Sequence, residues 1–333
     1  MREPGFWYRP LSWLSRALSP LGAIYGAVST RRMARPGARA GIPVICVGNY
    51  HTGGAGKTPT TLALVEMLRS MGERPFVVSR GYGGALQGPV RVASGHSAAD
   101  VGDEPLMMAA RAPVIVARDR VAGAALARDS GATVVVLDDG FQNPALAKDA
   151  SLIVIDAGRG VGNGGVFPAG PLRAPLAPQV ARTDALVVIG DGRAADGVIA
   201  AVAQHGAPVW RARLVPDPAA VERLRGRPVL AFAGIGDPAR FFATLRASGI
   251  NVVAERMFGD HHPFTADEIA RLAEDARAQG LTPVTTEKDM ARLRSDARLA
   301  PHARAIAVLP VTLAFDDDAA MRGFVGKLLA KTR

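Results

Sequence analysis

Glycines at positions 53, 54 and 56 stand directly before Lys57 and Thr58, a set of residue types that can hold a triphosphate. Glycines let backbone N–H groups curl round phosphate oxygens, a lysine reaches the β and γ phosphates, and a hydroxyl serves Mg²⁺. The loop comprises His51, Thr52, Gly53, Gly54, Ala55, Gly56, Lys57 and Thr58, with an apolar run at 43–47 before it and an amphipathic stretch after it. That setting predicts strand, loop and helix, with the positive end of the helix aimed at the phosphates. The pattern departs from the usual G-x-x-x-x-G-K-[ST] in one place, since His51 takes the position of the first glycine. A glycine-rich turn that binds no nucleotide is the competing reading, and the strand–loop–helix context weighs against it. Loops of this variant resemble those of the P-loop branch that includes dethiobiotin synthetase-like kinases and partitioning ATPases.

Asp138 and Asp139 end a second apolar run at 133–137. At the carboxyl edge of a buried strand beside a phosphate loop, an aspartate can hold Mg²⁺ directly or through water, so Thr58, Asp138 and Asp139 are the candidate metal ligands. Asp103 and Glu104 stand at the mouth of a helix, where capping alone would account for them. Asp260-His261-His262 offers adjacent histidines, but neither has a partner four positions away. A zinc site is therefore not expected, and solvated loop histidines are the default.

These residues need a scaffold, and from Gly41 onward short apolar runs alternate with longer amphipathic segments, as βα units round a mainly parallel sheet do. Strands are expected at 44–47, 76–79, 114–117, 133–137, 152–155, 185–189 and 209–212, with helices after Thr58, Glu104, Arg118 and Gly192. Residues 158–178 are too rich in Gly and Pro for an element and too long for a turn, which predicts a functional loop. A fresh βα series starts after 225–228: a strand at 229–233, a helix opened by Asp237-Pro238, a strand at 251–255, a helix capped by Thr265, a strand at 282–286 and a last helix at 319–331. The expected division is an interfacial segment at 1–40, a P-loop core at 41–225 and a smaller α/β domain at 226–333 that closes over the site.

Composition narrows the class. The chain has 333 residues, 48% hydrophobic and 21% charged, enough for one large core or two modest ones. A single cysteine, Cys46 in an apolar strand, excludes a disulfide framework and a Cys-based zinc site. The formal charge is +10, yet residues 1–40 hold seven arginines against Glu3, a net +6. The globular part is only mildly basic, and no nucleic acid is expected as a partner. That same segment carries Phe6, Trp7, Tyr8 and Trp13, then Leu11, Leu14, Leu18, Leu21, Ile24 and Tyr25 at helical spacings. Arg16 and Pro20 interrupt it, so it falls short of the roughly 20 apolar residues a crossing needs, and a cleaved leader is not expected. Aromatic rings beside arginines suit a helix lying in the membrane interface; a helix packed on its own domain is the other reading.

Several motifs together resemble one family, the tetraacyldisaccharide 4'-kinases of lipid A biosynthesis, over the full length of the chain. They are Val47-Gly48-Asn49 with Gly53-Gly54-Ala55-Gly56-Lys57-Thr58-Pro59, Ser79-Arg80-Gly81-Tyr82-Gly83, Gly102-Asp103-Glu104-Pro105 and Leu137-Asp138-Asp139-Gly140-Phe141-Gln142. Further along come Gly162-Asn163-Gly164, Pro168-Ala169-Gly170-Pro171-Leu172-Arg173, Phe258 with Asp260-His261-His262, and Thr286-Glu287-Lys288-Asp289. The resemblance implies Mg²⁺-assisted transfer of the ATP γ-phosphoryl group to the 4'-hydroxyl of an acylated glucosamine disaccharide 1-phosphate. It implies a monomer acting peripherally at the cytoplasmic face of the bacterial inner membrane, which favours the interfacial helix. It also implies that Asp103 assists deprotonation of the hydroxyl with His261 beside it, and that Arg80, Tyr82, Gln142, Asn163 and Arg173 surround the substrate. Family members often carry Glu after Pro-Leu-Arg, where this chain has Ala174, so any acidic role there is vacant. A soluble dethiobiotin synthetase-like kinase would not need the aromatic and basic segment, and a partitioning-type ATPase would carry a second lysine early in the loop, where His51-Thr52 stand.

Overall fold

A computed structural model describes residues 4–10 and 12–332; Arg2, Glu3 and Leu11 of the basic and aromatic segment lie outside the described residues. The strands are β1 (Val44–Gly48), β2 (Pro75–Ser79), β3 (Val90–Arg91), β4 (Val114–Val116), β5 (Val134–Asp138), β6 (Ala150–Asp156), β7 (Ala185–Ile189) and β8 (Val209–Pro216). They are followed by β9 (Val229–Ala233), β10 (Val252–Met257), β11 (Thr282–Thr286), β12 (Ala307–Leu309) and β13 (Val311–Phe315). Strands β1, β2 and β4 to β7 are buried along their whole length, as continuous apolar runs in a sheet covered on both faces should be.

The large sheet runs β13-β8-β7-β6-β1-β5-β2-β4-β3, parallel except at its two edge strands. One face is covered by the helices Lys57–Ser70 and Asp318–Thr332, through residues such as Leu64, Leu68, Val325 and Leu329. The other face is covered by Arg120–Asp129 and Asp196–Gln204. Cys46 is buried there, and burial pushes its thiol up to about 12, so it is an inert core residue. Strand β1 lies between β5 and β6, with Val47 paired to Asp138. That register sets the phosphate loop and the Asp138-Asp139 pair side by side at the carboxyl edge.

The second sheet, β10-β9-β11-β12, is entirely parallel. Its helices start where their caps dictate. The Asp237 side chain accepts from Arg240 N at 3.1 Å with Pro238 in the first turn, and Thr265 forms a capping box with Glu268. The far end corrects the expected division. Strand β13 pairs antiparallel with β8, Leu313 opposite Leu214, and the helix Asp318–Thr332 packs Met321, Val325 and Leu329 into the large core. Residues 311–332 therefore belong with the first sheet, and the chain crosses between the sheets twice. The return pairs the outer side of β8, which would otherwise leave its ladder groups open.

The helix Trp13–Met33 is capped by Ser12, which accepts from Ser15 N at 3.2 Å. It docks by its small residues, because Ser15, Gly22 and Gly26 are buried while Trp13, Leu21, Ile24 and Val28 are exposed. A Cβ on Gly22 would come within 2.7 Å of the Val166 carbonyl oxygen, so only glycine permits this approach. Among the described residues no helix is long and apolar enough to cross a membrane.

Candidate active site

Gly56 has φ +88° and directly precedes the helix Lys57–Ser70, and Gly53 has φ +98°. Both lie in the left-handed region that glycine enters at little cost. The Asn49 side-chain amide donates to Gly53 O at 3.1 Å and closes the loop at its base. His51 is buried, with Nδ1 2.6 Å from Thr52 O and Nε2 without a protein partner. Burial, reinforced by Lys57 and Arg173, holds its pKa down to about 4 against the Thr52 hydrogen bond. The imidazole is thus neutral at pH 7. The loop expected at 158–178 runs alongside as a strap: Thr52 N donates to Pro171 O and Arg173 N to Tyr50 O, each at 2.9 Å.

The two acidic residues after β5 take different parts. Asp139, at φ +49°, is gripped by Arg173 through both oxygens at 2.6 and 3.1 Å, with Lys57 Nζ at 3.9 Å. Burial opposes its ionisation, but Lys57 and Arg173 overcome that and hold the carboxyl well below the ordinary range. Both its oxygens pair with cations in this arrangement, which sets it apart from its neighbour in the expected ligand set. Asp138 is buried, accepts from Ser79 Oγ at 3.0 Å on Oδ2, and keeps Oδ1 without a protein hydrogen bond. Burial first, then the charges of Glu104 and Asp139, push its pKa up to about 7. An orphaned buried oxygen within electrostatic reach of Lys57 has the chemistry of a divalent-cation ligand.

Asp103 opens the helix Asp103–Ala109 and is buried. Its Oδ1 accepts from Glu104 N at 3.0 Å, while Oδ2 meets His261 Nδ1 and Arg292 Nε, both at 2.9 Å. Burial raises its pKa, but the His261 hydrogen bond and the charges of Lys288 and Arg292 prevail and hold the carboxyl well below the usual range. Capping alone does not describe this group. His261 has φ +57°, and its N–H donates to Gly234 O at 3.2 Å, so the surrounding loop fixes a backbone that costs a non-glycine residue about 1–2 kcal/mol. His262 is a buttress instead of a solvated loop histidine: it stacks on Phe258 with centroids 4.9 Å apart and places Nε2 3.1 Å from Glu268.

Tyr82 is exposed, with its ring 5.6 Å from that of His261, and Arg80 is exposed nearby in sequence. Gln142 instead supports the loop, donating to Asn49 O at 2.7 Å and to Gln179 Oε1 at 2.9 Å. Asn163 is spent on structure: its Nδ2 donates to Ser15 Oγ and Ala169 O at 3.0 Å, and its Oδ1 accepts from Gly165 N at 2.9 Å. It fastens the helix Trp13–Met33 to the strap with both amide N–H groups, leaving only acceptor capacity on Oδ1. Ala174 is fully buried, and its carbonyl accepts from Gln179 Nε2 at 2.7 Å. Reasoning from sequence places Lys288 within a family motif without giving it a role and does not single out Arg292, although their spacing of four at a helix start after a strand marks them as one cationic face.

Residues 14–330 match the model of the family described as tetraacyldisaccharide-1-P 4'-kinase. The chain is 65% identical to the tetraacyldisaccharide 4'-kinase of Rhodopseudomonas palustris strain BisB18, covering 100% of this chain and 97% of that one. It is 64% identical to the enzyme of the same name from Nitrobacter winogradskyi, with 100% and 99% covered. The fold matches the crystal structure of the "apo" form of LpxK from Aquifex aeolicus in complex with ATP, at TM-score 0.71 and 25% identity over 95% of this chain and 99% of that one.

Proposed function

This chain belongs to the tetraacyldisaccharide 4'-kinase family and is an ATP-dependent lipid A 4'-kinase, and from that premise we propose how its residues divide the work. A soluble dethiobiotin synthetase-like or partitioning-type role is not favoured. The loop 51–58 cradles the phosphates, and Lys57 leaves Asp139 for the β and γ oxygens when the nucleotide arrives. Phosphoryl transfer needs positioning and charge neutralisation more than covalent help. Mg²⁺ would be held by Asp138 and Thr58, and when bound it would neutralise charge on the β and γ phosphates. The buried, unpartnered Asp138 Oδ1 supports that assignment. Among the described residues no group of three or more His, Cys, Asp or Glu could hold a metal alone, so the cation would share nucleotide oxygens and water.

The observation that carries the catalytic reading is the contact between His261 and the ionised Asp103. Asp103 accepts the proton of the sugar 4'-hydroxyl as it attacks, and His261 orients the carboxylate. The charge of the neighbouring Glu104 is felt at Asp138, so the base and the cation site belong to one electrostatic unit. Tyr82, Arg80 and Arg173 form the surroundings of the disaccharide. The exposed face of the helix Trp13–Met33, with Trp13, Leu21, Ile24 and Val28 beside Arg16, Arg31 and Arg32, suits the cytoplasmic membrane interface, where rings and apolar side chains insert and guanidinium groups meet anionic lipid. The enzyme works there as a peripheral monomer.

The test incubates purified full-length protein with ATP labelled at the γ-phosphate and a tetraacylated disaccharide 1-phosphate in mixed micelles with Mg²⁺. Label should appear on the 4' oxygen, and ATP consumption should depend on the lipid. Lipid-independent hydrolysis with no labelled disaccharide would refute the acceptor.

A further inference from the structure

Thr286-Glu287-Lys288-Asp289 forms the junction between β11 and the helix Glu287–Ser295. Thr286 caps that helix, accepting from Asp289 N at 3.1 Å and donating to Asp289 Oδ2 at 2.8 Å. Asp289 is fully buried, accepts from Gly234 N at 3.1 Å and pairs with Arg292 at 3.0 Å. Glu287 accepts from Val311 N at 3.2 Å, which ties the helix to the returning strand β13. The first turn is therefore held from several sides, and it presents Lys288 and Arg292, four positions apart, on one helical face.

That face meets the helix Asp103–Ala109 of the other sheet. Lys288 Nζ lies 3.1 Å from Glu104 Oε1, 3.7 Å from Asp103 Oδ2 and 3.7 Å from Asp260 Oδ1. Arg292 binds Asp103 Oδ2 and Gly234 O, each at 2.9 Å. Three cationic or N–H groups thus crowd Asp103 Oδ2, while Oδ1 accepts only from Glu104 N. Oδ1 is the oxygen with a lone pair left for a proton.

We propose that Lys288 is a positioning residue for phosphoryl transfer, holding Asp103 and Glu104 together across the contact between the two sheets so that Asp103 Oδ1 faces the substrate hydroxyl. The proposal rests on the reading of Asp103 as the base. Without the ammonium, two adjacent carboxylates would repel each other next to an incoming triphosphate, and Glu104 would lose its tie to the cluster that holds Asp103. Burial works against the charge on Lys288, but Glu104, Asp103 and Asp260 more than compensate and raise its pKa, so the ammonium is permanent. Arg292 is less suited to a test, since its loss would strand the fully buried Asp289 without its cation.

The experiment compares full-length Lys288→Met, Lys288→Gln and Lys288→Arg, each in the parent chain and in an Asp103→Asn background, by kcat, KM for ATP and melting temperature. In the parent background the two uncharged variants should lose roughly 10–100-fold in kcat, the scale of a misplaced reacting group, with KM for ATP within about twofold. Lys288→Arg should recover most of that loss. In the Asp103→Asn background the Lys288 substitutions should have no further effect, because a residue that acts through Asp103 has nothing left to act on. Equal losses in both backgrounds, or an uncharged variant with the parent kcat, would overturn the positioning role while leaving the base assignment intact. An Asp103→Asn chain with undiminished kcat would remove the base assignment and this proposal with it.

Discussion

His261 Nδ1 lies 2.9 Å from Asp103 Oδ2 across 158 positions of sequence, Asp103 opening the helix that leads into β4 of the large sheet and His261 standing in the loop after β10. The dyad exists only while the two sheets are in contact, so it is assembled by tertiary structure. Asp103→Ala should lower kcat by roughly 10²–10⁴ with little change in KM for ATP, the span for losing a general base. His261→Ala should cost less, and the double variant less than the product of the two losses. Fully multiplicative losses would mean the two side chains act independently.

Lys57→Ala should reduce turnover by at least roughly 10² while shifting the melting temperature by no more than a few degrees. Among the described residues Lys57 pairs with Asp139 at 3.9 Å, and in its absence Arg173 continues to neutralise that carboxylate. Turnover within a few-fold of the parent would remove the phosphate-loop assignment.

His51 makes stability depend on pH in the mildly acidic range. Its pKa is held down to about 4 by burial, from an ordinary 6.5. Between those values the unfolded chain takes up a proton that the folded chain refuses. Stability from this residue is therefore complete above about pH 6.5 and falls as the pH drops towards 4, by up to about 3 kcal/mol. Chemical denaturation of the parent and of His51→Asn at pH 7.5 and 4.5 checks this. The parent should lose more stability than the variant, and parallel pH profiles would contradict it.

The outer face of the helix Trp13–Met33 offers a change that should spare the fold. Ile24 and Val28 are 65% and 62% exposed, so Ile24→Glu with Val28→Glu should move stability by no more than about 1 kcal/mol. Sedimentation with anionic vesicles should fall sharply and KM for the lipid should rise, with KM for ATP unchanged. Vesicle binding equal to that of the parent would assign the helix to packing alone.

Much of this protein is readable from its residue order because the relevant chemistry is contiguous. The loop from His51 to Thr58 carries its glycines, lysine and hydroxyl in one stretch, and apolar runs such as 133–137 announce buried parallel strands by composition alone. The caps at Asp237 and Thr265 depend on residues three positions away and started their helices where expected. Asp103 and His261 came from family resemblance, since their types and spacing by themselves were compatible with a helix cap and a solvated loop.

Tertiary structure decided what those side chains touch. Asp138 and Asp139 are neighbours of identical type, yet Arg173 claims one and burial isolates the other. Asn163 carries a polar amide suited to a substrate, but the docking of a glycine-faced helix consumes it through Ser15. Strand β13 has no local mark distinguishing its return to β8 from membership of the second sheet. Lys288 and Arg292 acquire their role only because the helix that bears them meets Asp103, 189 positions from Arg292. Local propensity acts over a few residues through backbone geometry and short-range hydrogen bonds. Contacts between distant segments are selected by the burial and charge pairing of the whole chain at once, and no window of sequence contains that sum.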